Sequence, residues 1–256
     1  MRIPVGIRAL LVASFFSAFA QIGQITIIGK QVFDMTGSTL DLGLLGLAEF
    51  LPVAILSPIT GSVADRFDRR KVFALALAGE SLVSVLLFLY IRSDPSSIAP
   101  IFGVVLLFGV FRACASPASR ALPIDLAPTG VLERVVALRT FSFMAGSIVG
   151  PVALAFVFVA GPAFPYLVAA GGFGMGIGLL KLVPQPPVSQ HRPTGARQVI
   201  RDAFEGLRFI RRTPIVFGAI SLDLFAVLFG GVIALLPAIA AERLGVGAVG
   251  LGWLRA

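Results

Sequence analysis

Glu49, Glu80, Arg112 and Asp223 each interrupt a long run of apolar residues. A charge at the centre of a lipid-embedded helix costs roughly 2.5–3.5 kcal/mol on insertion scales, so such a group is paired or functional. An acid facing a base there can take up a proton and release its partner, which is chemistry for coupling one event to another. Ser14, Ser17, Gln21 and Gln24 recur at intervals of three, four and three, which places them on one helical face. Such a stripe either hydrogen-bonds a bound molecule or holds helices together. The third cluster is Gly61, Asp65, Arg66, Arg69 and Arg70, ahead of Lys71. An aspartate at the C-terminal end of a helix opposes the macrodipole and needs cationic company, which the three arginines supply within a turn.

Other chemistry is excluded by what the chain lacks. Its one cysteine, Cys114, rules out an intramolecular disulfide and any cysteine-based metal site, and its one histidine, His191, rules out a His-pair site. No metal and no cofactor are expected. Intramembrane acids and an arginine can also do acid–base work on a lipid head group, so a membrane-embedded lipid-modifying enzyme is a rival reading. It has no nucleophile–base pair or nucleotide loop in its favour.

Composition dictates the scaffold that carries these residues. Of 256 residues, 57% are apolar and 13% charged, against about 45–50% and ~25% in an ordinary soluble domain. A mean hydropathy of +0.96 spread along the length excludes a water-soluble fold, so the lipid bilayer is the solvent. Runs of about 20 apolar residues make spanning helices, and seven are present: Ala9 to Ile28, Leu42 to Ala64, Val72 to Ile91, Ile98 to Ser119, Thr140 to Ala160, Gly161 to Leu180 and Ile215 to Pro237. The fifth and sixth break at Gly161-Pro162, and an eighth starts at about Gly250. The fold class is all-α, a polytopic transmembrane helix bundle. The first run continues well past Ala20 and reads as a span, not a cleaved signal peptide.

A net charge of +8 and a pI near 11.0 would suggest nucleic acid in a soluble chain. Here the basic residues cluster between apolar runs without stacking aromatics, so no nucleic acid is expected. With the N-terminus inside, alternate loops carry 16 Lys and Arg on the cytoplasmic side and only Lys30, Arg92 and Arg243 opposite, which sets the orientation. Residues Pro184 to Thr213 form a proline-led cytoplasmic linker. It ends in an amphipathic stretch with Ile200, Ala203, Phe204, Leu207 and Ile210 on one face, lying either at the membrane interface or in water. At about 1.5 Å per residue, Arg112 lies roughly 10 Å above the cytoplasmic end of its span and Glu80 and Asp223 roughly 12 Å above theirs. Those three can meet, whereas Glu49 is expected nearer the outer face and out of reach of Arg112.

The Gly61, Asp65, Arg66, Arg69, Arg70 pattern resembles the signature loop of the major facilitator superfamily of secondary transporters, with Asp68 where that family usually has a second glycine. Ser116 to Leu126 and Glu205 to Ile210 look like the branch containing enterobactin exporters and macrolide-efflux proteins. Gly146, Gly150 and Pro151 resemble the glycine–proline motif of the family's antiporters, although Leu154 and Ala155 stand where those carry a glycine pair; a small-residue packing face explains them as well.

The resemblance implies twelve spans in two six-helix halves. Residues 1–183 would be the first bundle, 184–213 the linker and 214–256 the beginning of the second bundle, whose remainder is expected to be needed for function. It also implies an inner-membrane protein that exports a small organic compound, siderophore or drug-like, in exchange for protons by alternating access. The first, fourth and seventh helices would line the cavity, with Ser14, Ser17, Gln21 and Gln24 facing substrate. Arg112 and Asp223 would form the coupling pair, and Glu80, on a peripheral helix, would snorkel or bond a neighbour. The alternative is an incomplete chain that folds in part and transports nothing.

Orientation is directly testable. Ser93→Cys is expected to react with an impermeant thiol reagent added outside, and Ser189→Cys is expected not to; the reverse labelling pattern would sink this topology.

Overall fold

In lipid every backbone N–H and C=O must find its partner within the segment, so long apolar runs fold as helices. The structure, a computed structural model, describes residues 4–128, 130–185, 208, 211–218, 221–222 and 232–256, without the side chains of 58, 59, 62 and 64–66. Within these residues lie α1 (Val5–Thr36), α2 (Thr39–Arg66), α3 (Arg69–Arg92), α4 (Ala99–Leu126), α5 (Leu132–Ala160) and α6 (Phe164–Leu180). The short α7 (Val232–Ala238) runs into a π-helical turn, Ile239–Arg243, and α8 spans Ala248–Arg255. Five of these helices are long and apolar enough to cross a membrane, and α6 is a shorter apolar helix of 17 residues. Asp223 and the amphipathic positions Ile200, Ala203, Phe204, Leu207 and Ile210 lie outside the described residues.

Several helices outrun their apolar cores. Past Ile28, α1 continues because Lys30 donates to Asp34 one turn on at 2.8 Å. It stops at Gly37, whose left-handed φ of 62° lets its N–H return to the Phe33 carbonyl at 2.8 Å. Similarly, α4 passes Ser119 and carries Pro117 and Pro123 inside it as far as Leu126, while α5 begins at Leu132, ahead of the expected Thr140. Ser38 caps α2 by accepting the Asp41 N–H. Asp68, the residue that departs from the glycine of the signature loop, caps α3 by accepting the Arg70 N–H at 2.9 Å. The substitution therefore supplies a helix start where glycine would supply only freedom.

Packing has an internal regularity. Helix α1 lies against α5 and α6, α4 against α2 and α3, and α3 against α6. Exchanging α1 with α4, α2 with α5 and α3 with α6 carries the α1 contacts into those of α4 and the α3–α6 contact into itself, the pattern of two related three-helix units. The shared core holds Leu10, Ala13, Ile28, Leu77, Leu87, Phe108 and Phe173, while Leu75, Phe141 and Val159 are exposed on the outer surface, as in a multi-pass membrane protein. The later elements join this bundle from one side, α8 against α5 and α7 against α2 and α1.

The tightest seam is between α1 and α5. A Cβ at Gly146 would collide with the Phe15 carbonyl oxygen and one at Gly150 with that of Phe19, while a Cβ at Gly23 would lie 2.9 Å from the Gly150 carbonyl. Gly146 and Gly150 thus let the two backbones touch, the close approach that small residues four apart allow. Overpacking such a seam costs about 1–3 kcal/mol. Gly150→Val is expected to lower the melting temperature of detergent-purified protein, whereas Gly171→Val, facing open space, should leave it unchanged; equal melting of the two would show that the seam does not hold the bundle.

Candidate functional site

Helix α1 enters the bundle centre with its polar stripe already on one face, and the structure divides that stripe between two tasks. Ser14, Ser17 and Gln21 line a cavity of about 420 Å³ together with Arg112, Ser116, Ser119 and Arg120 of α4, Arg139 and Phe143 of α5, and Phe73 of α3. Gln24 is instead fully buried against α3, where its Oε1 accepts a hydrogen bond from Ser84 Oγ. Its amide nitrogen is buried without a partner among the described residues. Gln21 serves both sides, because its Nε2 also donates to both carboxylate oxygens of the fully buried Glu80, at 2.9 and 3.0 Å. The Glu80 carbonyl lies 2.9 Å from the same Ser84 Oγ and shares its one proton with Gln24. A buried network of this kind joins α1 to α3 and gives each carboxylate oxygen a donor in place of water.

Arg112 departs from the expectation. Its Nη1 forms an ion pair with Glu49 Oε1, although the apolar runs alone put Glu49 beyond its reach. The discrepancy arises from the end of the fourth span, which the apolar pattern sets at Ser119. Because α4 continues to Leu126, Arg112 lies about 20 Å from either end, near mid-helix. Glu49 lies about 15 Å from the start of α2, a difference that an arginine side chain bridges. The pair is partly open, with side-chain exposures of 33% and 21%, so it is reachable from the cavity and not sealed in the core. On its far side Glu49, with Arg255, borders a second cavity of about 520 Å³ between α1, α2, α7 and α8, otherwise walled mainly by residues such as Ile25, Leu45, Leu236 and Leu251. Asp223, the expected partner of Arg112, is outside the described residues.

At the other end of the bundle the signature-loop arginines tie helix ends together. Arg69 Nη1 reaches both oxygens of Asp125, near the end of α4, at 2.7 Å. Arg70 Nη1 donates to the Val183 carbonyl just beyond α6 at 2.6 Å. Gly61 has open space around it, and the side chains of Asp65 and Arg66 are not among those described.

Four participants escape a reading of the sequence. Arg120 and Arg139 look like loop residues, although the apolar Ala121 and Leu122 after the one and Val135 to Leu138 before the other continue the helical pattern. Asp125 stands out only through its place in the Ser116 to Leu126 stretch, and Ser84 sits in an apolar run with nothing to single it out. Also, α3 and α5 contribute to the cavity wall through Phe73, Arg139 and Phe143, so the wall is not built from α1 and α4 alone.

Comparison with known proteins is consistent across sequence and structure. The family model described as Major Facilitator Superfamily matches residues 10–255. A Bacillus subtilis protein named an uncharacterized MFS-type transporter, YfiS, is 25% identical over 216 residues, covering 82% of this chain and 50% of its own length. The enterobactin exporter EntS of Shigella boydii is 28% identical over 240 residues, 91% of this chain and 56% of that protein. The chain spans about half the length of the curated relatives it matches. Among solved structures, a bacterial homolog of the human lysosomal transporter Spinster, inward-facing and unoccupied, superimposes with a TM-score of 0.75 at 17% identity, covering 99% of this chain and 59% of that one. A peptide transporter POT in complex with sulfate gives 0.62 at 16% identity, covering 91% and 49%. At such identities these structures establish a shared fold.

The Gln21–Glu80 contact yields a stability test. Removing the donor leaves a buried carboxylate unsatisfied, at a cost of about 1–3 kcal/mol. Gln21→Leu is therefore expected to lower the melting temperature more than Gln21→Leu, Glu80→Leu together, and additive losses in the double-mutant cycle would show that the two do not interact.

Proposed function

The chain belongs to the major facilitator superfamily, and from that premise we propose that it is part of a secondary transporter carrying a small organic compound outward across the inner membrane in exchange for protons. The observation that carries this reading is the cavity where Ser14, Ser17 and Gln21 of α1 face Arg112 of α4. Hydroxyls, an amide and a cation converge there on a space of about 420 Å³, within the ordinary size range of small-molecule sites. Relatives and structural neighbours are named as transporters, which favours carriage over the lipid-modifying enzyme, and the exporter among them supports the outward direction. The siderophore or drug-like class of cargo rests on the same relatives.

In this reading residues 1–183 form the first bundle, with the N-terminus in the cytoplasm. Residues 184–213 are the cytoplasmic linker and 214–256 begin the second bundle. Alternating access would come from rocking of the two bundles about the central site. The Asp65 to Lys71 loop would latch the cytoplasmic side, with Arg69 and Arg70 fixing α4 and the end of α6 to the start of α3. Gly146, Gly150 and Pro151 serve as the packing seam that lets α1 move with α5 as one body.

Arg112 is the coupling cation. With Glu49 ionised the pair ties α4 to α2, and a proton delivered to the acid releases the guanidinium and changes which bundle arrangement is favoured. Asp223 would take Glu49's place as the partner in another arrangement.

The test is accumulation of candidate compounds, the catecholate siderophores and macrolides among them, in cells with and without the full-length transporter, repeated across external pH. Expression is expected to lower accumulation, and Asp65→Asn should abolish that difference while leaving membrane insertion intact. Glu49→Gln and Asp223→Asn should flatten the pH dependence while some exchange persists. Arg112→Ala should be more damaging than Arg112→Ala, Glu49→Ala, because the single change strands an acid in a poorly solvated site. An unaltered pH profile in both acid variants would remove protons from the mechanism.

A further inference from the structure

The central cavity has a sign. Three guanidinium groups, from Arg112, Arg120 and Arg139, border it, and among the described residues that line it there is no carboxylate. Glu49, on the far side of Arg112, neutralises that one charge. Arg120 and Arg139 have no carboxylate partner among the described residues and lie close enough to repel each other. Among the described residues Arg139 donates one long hydrogen bond, from Nη2 to Ser119 Oγ at 3.4 Å, and its Nε is buried with no partner there. A planar guanidinium presents five donors in a fixed fork, so most of Arg139's capacity is unused. Arg139 is half-buried and Arg120 exposed, so together they present a positive field that draws in a counter-charge.

Resting on the transporter reading above, we propose that the cavity binds a soluble organic anion whose oxygen atoms are held by Arg139 and Arg120. Charge-assisted contacts from a guanidinium fork match a carboxylate or another planar oxyanion. Ser17 and Ser116 supply neutral hydroxyls nearby, and the rings of Phe73 and Phe143 line the same space, so the body attached to the anion is aromatic or apolar.

Two dyes of one ring system and opposite charge test this on the purified full chain in a neutral detergent at low salt. Fluorescein, an anion at pH 8, and rhodamine 123, a cation, are titrated by fluorescence polarisation. Fluorescein is expected to bind about tenfold more tightly than rhodamine 123, and to be displaced by benzoate. Arg139→Gln and Arg120→Gln should each weaken fluorescein binding by about tenfold. Arg139→Lys should recover part of that loss, and Arg134→Gln, at an exposed position on α5, should match the wild type. Melting curves without dye control for folding, and the comparison of dyes on the unaltered chain stands whether or not a variant folds. Rhodamine 123 binding as tightly as fluorescein overturns the charge assignment alone and leaves the transporter reading in place. Binding of neither dye, with no stabilisation by either, overturns the cavity as a binding site and the transporter reading with it. Displacement of fluorescein by dihexanoyl phosphatidylglycerol but not by benzoate assigns the charge to a lipid head group and overturns the soluble anion.

Discussion

The distance between α1 and α5 governs the rest of the bundle. Lipid offers no hydrophobic reward for pressing helices together, so contact must come from close packing and internal polar bonds. Gly146 and Gly150 remove the side chains that would hold α5 off the Phe15 and Phe19 carbonyls. With α1 drawn in this far, Ser14, Ser17 and Gln21 reach the same space as Arg112 and Arg139. On the opposite side, Gln21 and Gln24 come within bonding range of Glu80 and Ser84. A wider seam would leave both the cavity wall and the α1–α3 network without one of their sides.

Charge placement obeys the same economy of partners. Among the described residues, three strongly polar pairs join one helix of the bundle to another. Glu49 with Arg112 joins α2 to α4, Gln21 with Glu80 joins α1 to α3, and Arg69 with Asp125 joins the start of α3 to the end of α4. Arg139 and Arg120 have no carboxylate partner of this kind among the described residues, and they face the cavity. A polar group that links helices limits relative motion, whereas one left facing a cleft is available to something that enters it.

Much of this is legible in the sequence because lipid makes the rules strict. The six helices of the bundle, the tight Gly161-Pro162 turn and the shared face of Ser14, Ser17 and Gln21 follow from apolar run length and helical period. Helix ends are not legible in this way, since polar residues continue a helix past the apolar core whenever they find local partners, as Lys30 does with Asp34 and Asp68 does with the Arg70 N–H. The residues that α4 gains beyond Ser119 change the depth of Arg112, and with it Glu49 comes within its reach. Ser84 is illegible for another reason, because a lone serine in an apolar run gives no sign of which neighbour it will meet.

The end of α6 is held more firmly than its position at the edge of the bundle would suggest. Val183 is buried, its carbonyl is capped by Arg70, and the Pro184 ring fills the space beside Gly6 that any side chain there would need. The point where the chain leaves α6 is therefore fastened by two other helices, α3 through Arg70 and α1 through Gly6, and works as a clasp that a side chain at position 6 would spring open.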